Sequence, residues 1–256
     1  MSALDLAQIP AWLGGLFWAM GRVGGLFLVA PVFSATVLSP RLRIGLVLVL
    51  TLVLAPLAPT TIDPLTAQGV ATLASQILIG AAVGFTLRLV FEAVAFGGQL
   101  VAQSMSLGFA EVVNPQAGGS STVLTQFYLL LVTLLFLVMD GHLRLISLLA
   151  DSFHSLPPGQ AAIDANGLYA VVSFGTSLFS GAVRVALPAM TSLLVVNIGF
   201  AAISRAAPSM NLFAVGFPIT ISLGFIALWL ALRSLPGAFD ALQVSAWSLM
   251  HELIGG

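Results

Sequence analysis

Few side chains in this 256-residue sequence can do chemistry: eight arginines, nine aspartates and glutamates, and three histidines. Arg88 and Glu92 stand four apart, which puts both on one face of a helix. Such a pair either neutralises itself as a structural ion pair or serves a proton-coupled site. Asp140-Gly141-His142-Leu143-Arg144 sets a carboxylate, an imidazole and a guanidinium side by side. That grouping suits a proton relay, or, with Gly141 breaking a helix, an interface or subunit contact. Arg22, among glycines 21, 24 and 25, and Arg184, with no acid three or four residues away, stand alone. Arg22 either meets a partner's carboxylate, lines a watery path, or snorkels and pairs within a helix bundle. Arg184 must find its partner elsewhere in the bundle or on another chain.

Other chemistries lack their residues. There is no cysteine and no lysine, which removes thiolate metal sites, disulfides, the P-loop and Schiff-base mechanisms. His142, His154 and His251 lack zinc-helix spacing, and no G-x-S-x-G occurs. An enzyme is not expected, nor a metal or other cofactor. A net charge of −1 provides no basic stripe for nucleic acid.

The elements that must carry these residues are apolar. Hydrophobic residues make up 59% and charged residues 7%, against about 25% charged in a soluble domain, and mean hydropathy is +1.10. The chain therefore belongs in lipid or against other apolar protein. Six long apolar runs stand near Trp12–Phe33, Ile44–Ile62, Val70–Gln103, Val123–Ala150, Leu168–Ala202 and Leu212–Leu232. They read as helices, since none shows the alternating ten-residue pattern of a membrane barrel. No linker divides the chain, so residues 1–256 read as one domain. The runs starting at Val70, Val123 and Leu168 exceed a simple span and must tilt, kink or project. Pro56, Pro59, Pro188 and Pro218 are kink sites. Gly21 with Gly25 and Gly80 with Gly84 form two G-x-x-x-G pairs that would let helix backbones approach. The acidic start, Met1 to Asp5, does not read as a cleaved signal peptide. Arg41, Arg43, Arg205 and Arg233 place the break after the first run in the cytoplasm and the N-terminus outside.

The most unusual break runs from Ser104 to Thr122. Leading into it, Gln99, Gln103 and Ser106 form a polar face. Within it, Gly108, Gly118, Gly119 and Asn114-Pro115 combine with Phe109, Val112 and Val113. A solvated loop has no need of those apolar side chains. A re-entrant segment lining a cavity does, so the stretch reads as a gate or lid beside the alternative of an interfacial loop.

Several ordered motifs resemble the flagellar biosynthetic protein FliR family. They are Met105 to Ala110 with Asn114-Pro115, Leu135 to Leu149, Asp151 to Gly159, and Asn197 to Pro218 with Arg205, Ala207-Pro208, Asn211-Leu212-Phe213 and Val215-Gly216-Phe217-Pro218. The resemblance covers essentially the whole chain. One departure is Ser209, where the family pattern has Gln. The related SctT proteins of virulence secretion systems are similar, but Gly141-His142-Leu143 and Leu156-Pro157-Pro158-Gly159 look more like the flagellar branch.

The resemblance implies an all-α membrane protein of about six kinked apolar helices, folded as hairpins within a helical export-gate assembly rather than a simple six-span bundle. It implies a type III secretion subunit of the bacterial inner membrane and flagellar basal body, with FliP and FliQ as channel partners and FlhB and FlhA as neighbours. Unfolded flagellar proteins would be the cargo, in contact with a subunit bathed in membrane lipid. Residues 104–122 would be the plug, with Gly108, Phe109, Ala110, Glu111, Val112, Val113, Asn114, Pro115, Gly118 and Gly119 as its residues. Arg22, Arg88, Glu92, Asp140, His142, Arg144, Arg184 and Arg205 then acquire a second reading, as buried charges that fix register between subunits. A secondary transporter of a small solute is the alternative, motivated by charge within broken helices.

Overall fold

In the computed structural model the described residues are 9–34, 39–58, 62–107, 123–159, 163–206 and 212–255. Every regular element among them is helical. In chain order the α-helices are α1 (Ile9–Val29), the single turn α2 (Pro31–Ser34), α3 (Pro40–Leu54), α4 (Ala67–Ser104), α5 (Val123–Val138), α6 (Gly141–Ser155), α7 (Ala165–Ser173), α8 (Gly175–Ala206), α9 (Leu212–Ala231) and α10 (Leu235–Leu253), with short 3-10 turns at Ala55–Leu57 and Leu232–Ser234.

All six apolar runs are helical, but their boundaries follow local chemistry, and the number able to span falls below six. Four stretches of the described residues are long and apolar enough to cross a membrane: Pro40–Leu57, Ala67–Ser104, Ala165–Ala206 and Pro218–Leu253. A fifth arises if α5 and α6, bent by 64°, count as one broken span. In the first run Pro31 disfavours helix at Ala30, and α1 ends at Val29. The second run starts earlier than expected. Ser39 caps it, its hydroxyl accepting from Leu42 N at 3.4 Å, and Pro40 takes the first turn. Arg41 and Arg43 thus lie inside α3 rather than in a break. α10 was not anticipated at all.

The chain folds as two compact units. One comprises residues 1–89, 136–175 and 245–256, the other residues 90–135 and 176–244. Between apolar helices in lipid there is little hydrophobic driving force, so close backbone approach carries the packing. In the first unit the two G-x-x-x-G pairs face each other. A methyl group on Gly80 would overlap the Arg22 carbonyl oxygen, and one on Gly25 would overlap that of Ile77. Gly21 meets Leu73 and Gly84 meets Leu26 and Ala30. Around this crossing Trp18, Val23, Leu26, Phe27, Ile79 and Val83 are buried. A smaller cluster joins α7 to α10 through Val171, Leu249 and Leu253, with Ile163 and Phe174 packed against it.

The second unit is tied by aromatic contacts. Phe91 meets Phe239 edge-on at 6.1 Å, and Phe96 meets Phe179 at 6.0 Å. α8 carries Pro188 without ending there. Proline removes the donor to the carbonyl four residues back, which here is that of Arg184. The Thr191 and Ser192 hydroxyls donate to the carbonyls of Leu187 and Pro188, each within 2.9 Å.

Candidate functional site

Arg22 has the most developed environment of any charged residue described. It lies on α1, fully buried, one turn after the buried Trp18. The α1–α4 crossing brings Gln76 to it, and the last turn of α6 brings Ser152, Phe153 and Leu156. Arg22 Nε donates to Gln76 Oε1 at 2.9 Å, Nη1 to the Ser152 carbonyl at 2.6 Å and its hydroxyl at 2.8 Å, and Nη2 to the Leu156 carbonyl at 2.7 Å. The guanidinium also lies 4.1 Å from the centre of the Phe153 ring. These acceptors are uncharged. An isolated buried charge is strongly unfavourable, so charge-assisted hydrogen bonds must offset its desolvation. The partial negative charge at the α6 C-terminus adds to them. Ser152 is fixed in turn, its hydroxyl donating to Leu149 O at 2.6 Å. Gln76 Nε2 and Trp18 Nε1 are buried with no partner among the described residues.

The other singled-out charges do not join this cluster. Arg88 and Glu92 are exposed, one turn apart on α4, and neither lacks a partner. Asp140 is exposed in the turn between α5 and α6, in the left-handed conformation with φ 55°. Its carbonyl accepts from the backbone N–H groups of Leu143 and Arg144 at 3.0 Å. Arg144 is exposed, and His142 Nδ1 is buried without a partner among the described residues. Among those residues no hydrogen bond connects the Asp140, His142 and Arg144 side chains, so they do not form a wired relay. Arg184 and Arg205 lie exposed along α8. In this chain by itself, therefore, Arg22 is the buried member of the set, and the remainder are exposed or half-buried.

Around the plug-like stretch the described residues are its two flanks. α4 ends in a Schellman turn: Ser106 N donates to Gln103 O and Leu107 N to Ala102 O, each at 3.0 Å, with Ser106 at φ 62°. Met105 is fully buried against Gly224 of α9. Gln103 and Ser106 are exposed, and Gln99 is half-buried. α5 resumes at Val123. Gly108, Phe109, Ala110, Glu111, Val112, Val113, Asn114, Pro115, Gly118 and Gly119 lie outside the described residues. Beside the end of α4 an open apolar groove of about 330 Å³ is lined by Ser104, Val183, Leu187, Met190, Leu193 and Asn197.

Sequence reasoning missed Gln76, Ser152, Phe153 and Leu156 as the Arg22 cradle. The available signal was Gln76 itself, an amide in the middle of an apolar run. The two carbonyl acceptors carry no sequence signal.

The sequence profile of the bacterial export proteins, family 1, matches residues 13–244. The flagellar biosynthetic protein FliR of Escherichia coli (strain K12) is 37% identical over 249 residues, covering 96% of this chain and 95% of that protein. The flagellar biosynthetic protein FliR of Pectobacterium carotovorum subsp. carotovorum is 36% identical over 244 residues, covering 95% and 94%. That of Aquifex aeolicus (strain VF5) is 34% identical over 158 residues, covering 62% and 61%.

Proposed function

Since the chain belongs to the bacterial export proteins, family 1, we propose that it is a non-catalytic core subunit of the flagellar type III protein export gate. With FliP and FliQ it forms the channel through which unfolded flagellar proteins are secreted, alongside FlhB and FlhA. Its place is the bacterial inner membrane at the flagellar basal body. The observation that carries this reading is identity of 36–37% to two flagellar biosynthetic proteins along nearly the whole length of each.

The physical reading agrees. Only 17% of the Pro40–Leu57 window and 17% of the Ala165–Ala206 window is buried within the chain. Those apolar faces are left for lipid or for sister subunits. Arg184 and Arg205 sit on α8 with no partner among the described residues, so they serve as register charges toward a neighbouring subunit. Arg22 differs, since its donors are taken inside the chain. Residues 104–122 act as the plug of the closed channel, on the strength of their mixed glycine and apolar sequence and the family resemblance.

Native mass measurement of the complex extracted in mild detergent tests the proposal. The expected result is one particle that contains this chain with FliP and FliQ. A chain that purifies alone, and that takes up a small solute when reconstituted by itself, would overturn it.

A further inference from the structure

The sequence holds one asparagine followed by glycine, Asn166-Gly167, in the first turn of α7. In water that dipeptide is the most reactive asparagine context, because glycine has no Cβ to hinder its backbone nitrogen. Gly167 N can attack Asn166 Cγ. A carbon–nitrogen bond forms, and the Gly167 proton leaves with the side-chain amide group as ammonia. Water then opens the five-membered imide at either carbonyl, to aspartate or to isoaspartate. Asn166 is exposed, so water reaches it. Packing nonetheless favours glycine at 167. An added methyl carbon would lie 2.9 Å from Ile163 Cγ2, 3.2 Å from Asp164 Oδ1 and 3.3 Å from Leu253 Cδ2 of α10.

One carboxylate holds both reacting groups. Asp164 is the N-cap of α7. Its Oδ1 accepts from Gly167 N at 2.7 Å, and its Oδ2 accepts from Asn166 Nδ2 at 3.4 Å. The proton that the attacking nitrogen must lose is thus committed to the cap, and the leaving amide is tied to the same carboxylate. A carboxylate is far too weak a base to take a backbone amide proton, so Asp164 restrains the nitrogen without activating it. Leu168 N, which donates to the Asp164 carbonyl at 3.0 Å, closes the first turn around them. We propose that Asn166-Gly167 is a deamidation site guarded by Asp164, reacting only when the first turn of α7 opens. Ring closure requires Gly167 N to leave Asp164 for the Asn166 side chain, which breaks the cap. The change is one-way. Isoaspartate routes the main chain through the former side chain and inserts one extra carbon ahead of Gly167. Gly167 then cannot stay under Asp164 while Val171 keeps its seat with Leu249 and Leu253. Deamidation at this position therefore uncouples α7 from α10.

The test incubates the full-length chain in mild detergent at mildly alkaline pH. Digestion and mass spectrometry then follow conversion of the peptide that contains residue 166, with its aspartate and isoaspartate forms separated by chromatography. The folded chain should convert on the order of a hundredfold more slowly than the same chain in denaturant, since the first turn must open before the ring can close. Asp164→Ala, which removes the cap oxygen, should convert about tenfold faster than the unaltered folded chain. Asp164→Ser, which keeps a cap oxygen for Gly167 N, should stay within about threefold of the unaltered chain. In denaturant all three should convert alike. Equal rates for the unaltered chain folded and denatured would overturn the proposal. So would an Asp164→Ala variant that converts no faster than the unaltered chain, and a slower one would make the carboxylate a promoter of the reaction. If Asp164→Ala does not fold, Asp164→Ser decides: conversion at the denatured rate in that folded variant would show that the cap oxygen is not the guard.

Discussion

Arg22 and Ser152 are joined twice by one guanidinium nitrogen, at 2.6 Å to the carbonyl and 2.8 Å to the hydroxyl, across 130 residues of chain. The two bonds differ in what can replace them. The hydroxyl can be deleted by mutation, whereas the carbonyl belongs to the backbone and survives any side-chain change at 152.

Ser152→Ala should therefore be the mild perturbation. It removes one hydrogen bond to a charged donor and leaves three, with an expected loss of about 1.5–3 kcal/mol. Arg22→Ala strips the donor from four acceptors at once and should lose more, on the order of 3–5 kcal/mol. Denaturation of the purified chain in detergent measures both, and equal losses would contradict the geometry.

The glycine crossing makes a positional forecast. Gly80→Ala places a methyl against the Arg22 carbonyl and Gly25→Ala places one against that of Ile77, so each should destabilise by about 1–3 kcal/mol through overpacking. Gly24 has nothing within 4 Å of the added methyl. Gly24→Ala should be neutral or stabilising by up to about 1 kcal/mol, the helix-propensity gain. Melting temperatures of the three variants check the ordering.

Arg184→Gln and Arg205→Gln separate stability from assembly. Both side chains are exposed on α8, and surface substitutions usually stay within about 0.5 kcal/mol. The isolated chain should melt as before, while recovery of FliP and FliQ in affinity purification should fall. Undiminished recovery in the double variant would remove these arginines from the interface.

Deleting Glu111 to Gly119 tests the plug. The complex should still assemble, and cells that carry it should become leaky to small ions. Permeability is read from dye or ion efflux, and an unchanged value would argue against a plug at this position.

The sequence made some features legible and left others hidden, for physical reasons. Apolar runs reveal helices because length and hydropathy are local properties, and the G-x-x-x-G pairs reveal a crossing because only small residues permit it. α10 stayed hidden because Asp240, Gln243, Ser248, His251 and Glu252 interrupt its apolar character. Its buried stripe of Phe239, Leu242, Ala246, Leu249, Met250 and Leu253 emerges from periodicity rather than from mean hydropathy. Gly141 was legible as a break in α5–α6, yet the left-handed residue is Asp140 beside it. The Phe136 ring packs over the glycine. The Arg22 cradle was the least legible feature, since its partners stand 54 to 134 residues away and two are backbone carbonyls.

The interleaving of the two units bears on the order in which a nascent chain can fold. The Arg22 cradle needs nothing beyond Leu156, so it can close while later helices are still on the ribosome. The unit that holds it also requires residues 245–256, and residues 176–244 of the other unit are made in between. At a synthesis rate of about 5–20 residues per second, that insertion imposes a delay on the order of 3–14 seconds. Through that interval Val171, which packs with Leu249 and Leu253 in the finished protein, must wait for its α10 partners. Membrane insertion factors would meet a half-closed intermediate with its arginine already sheltered.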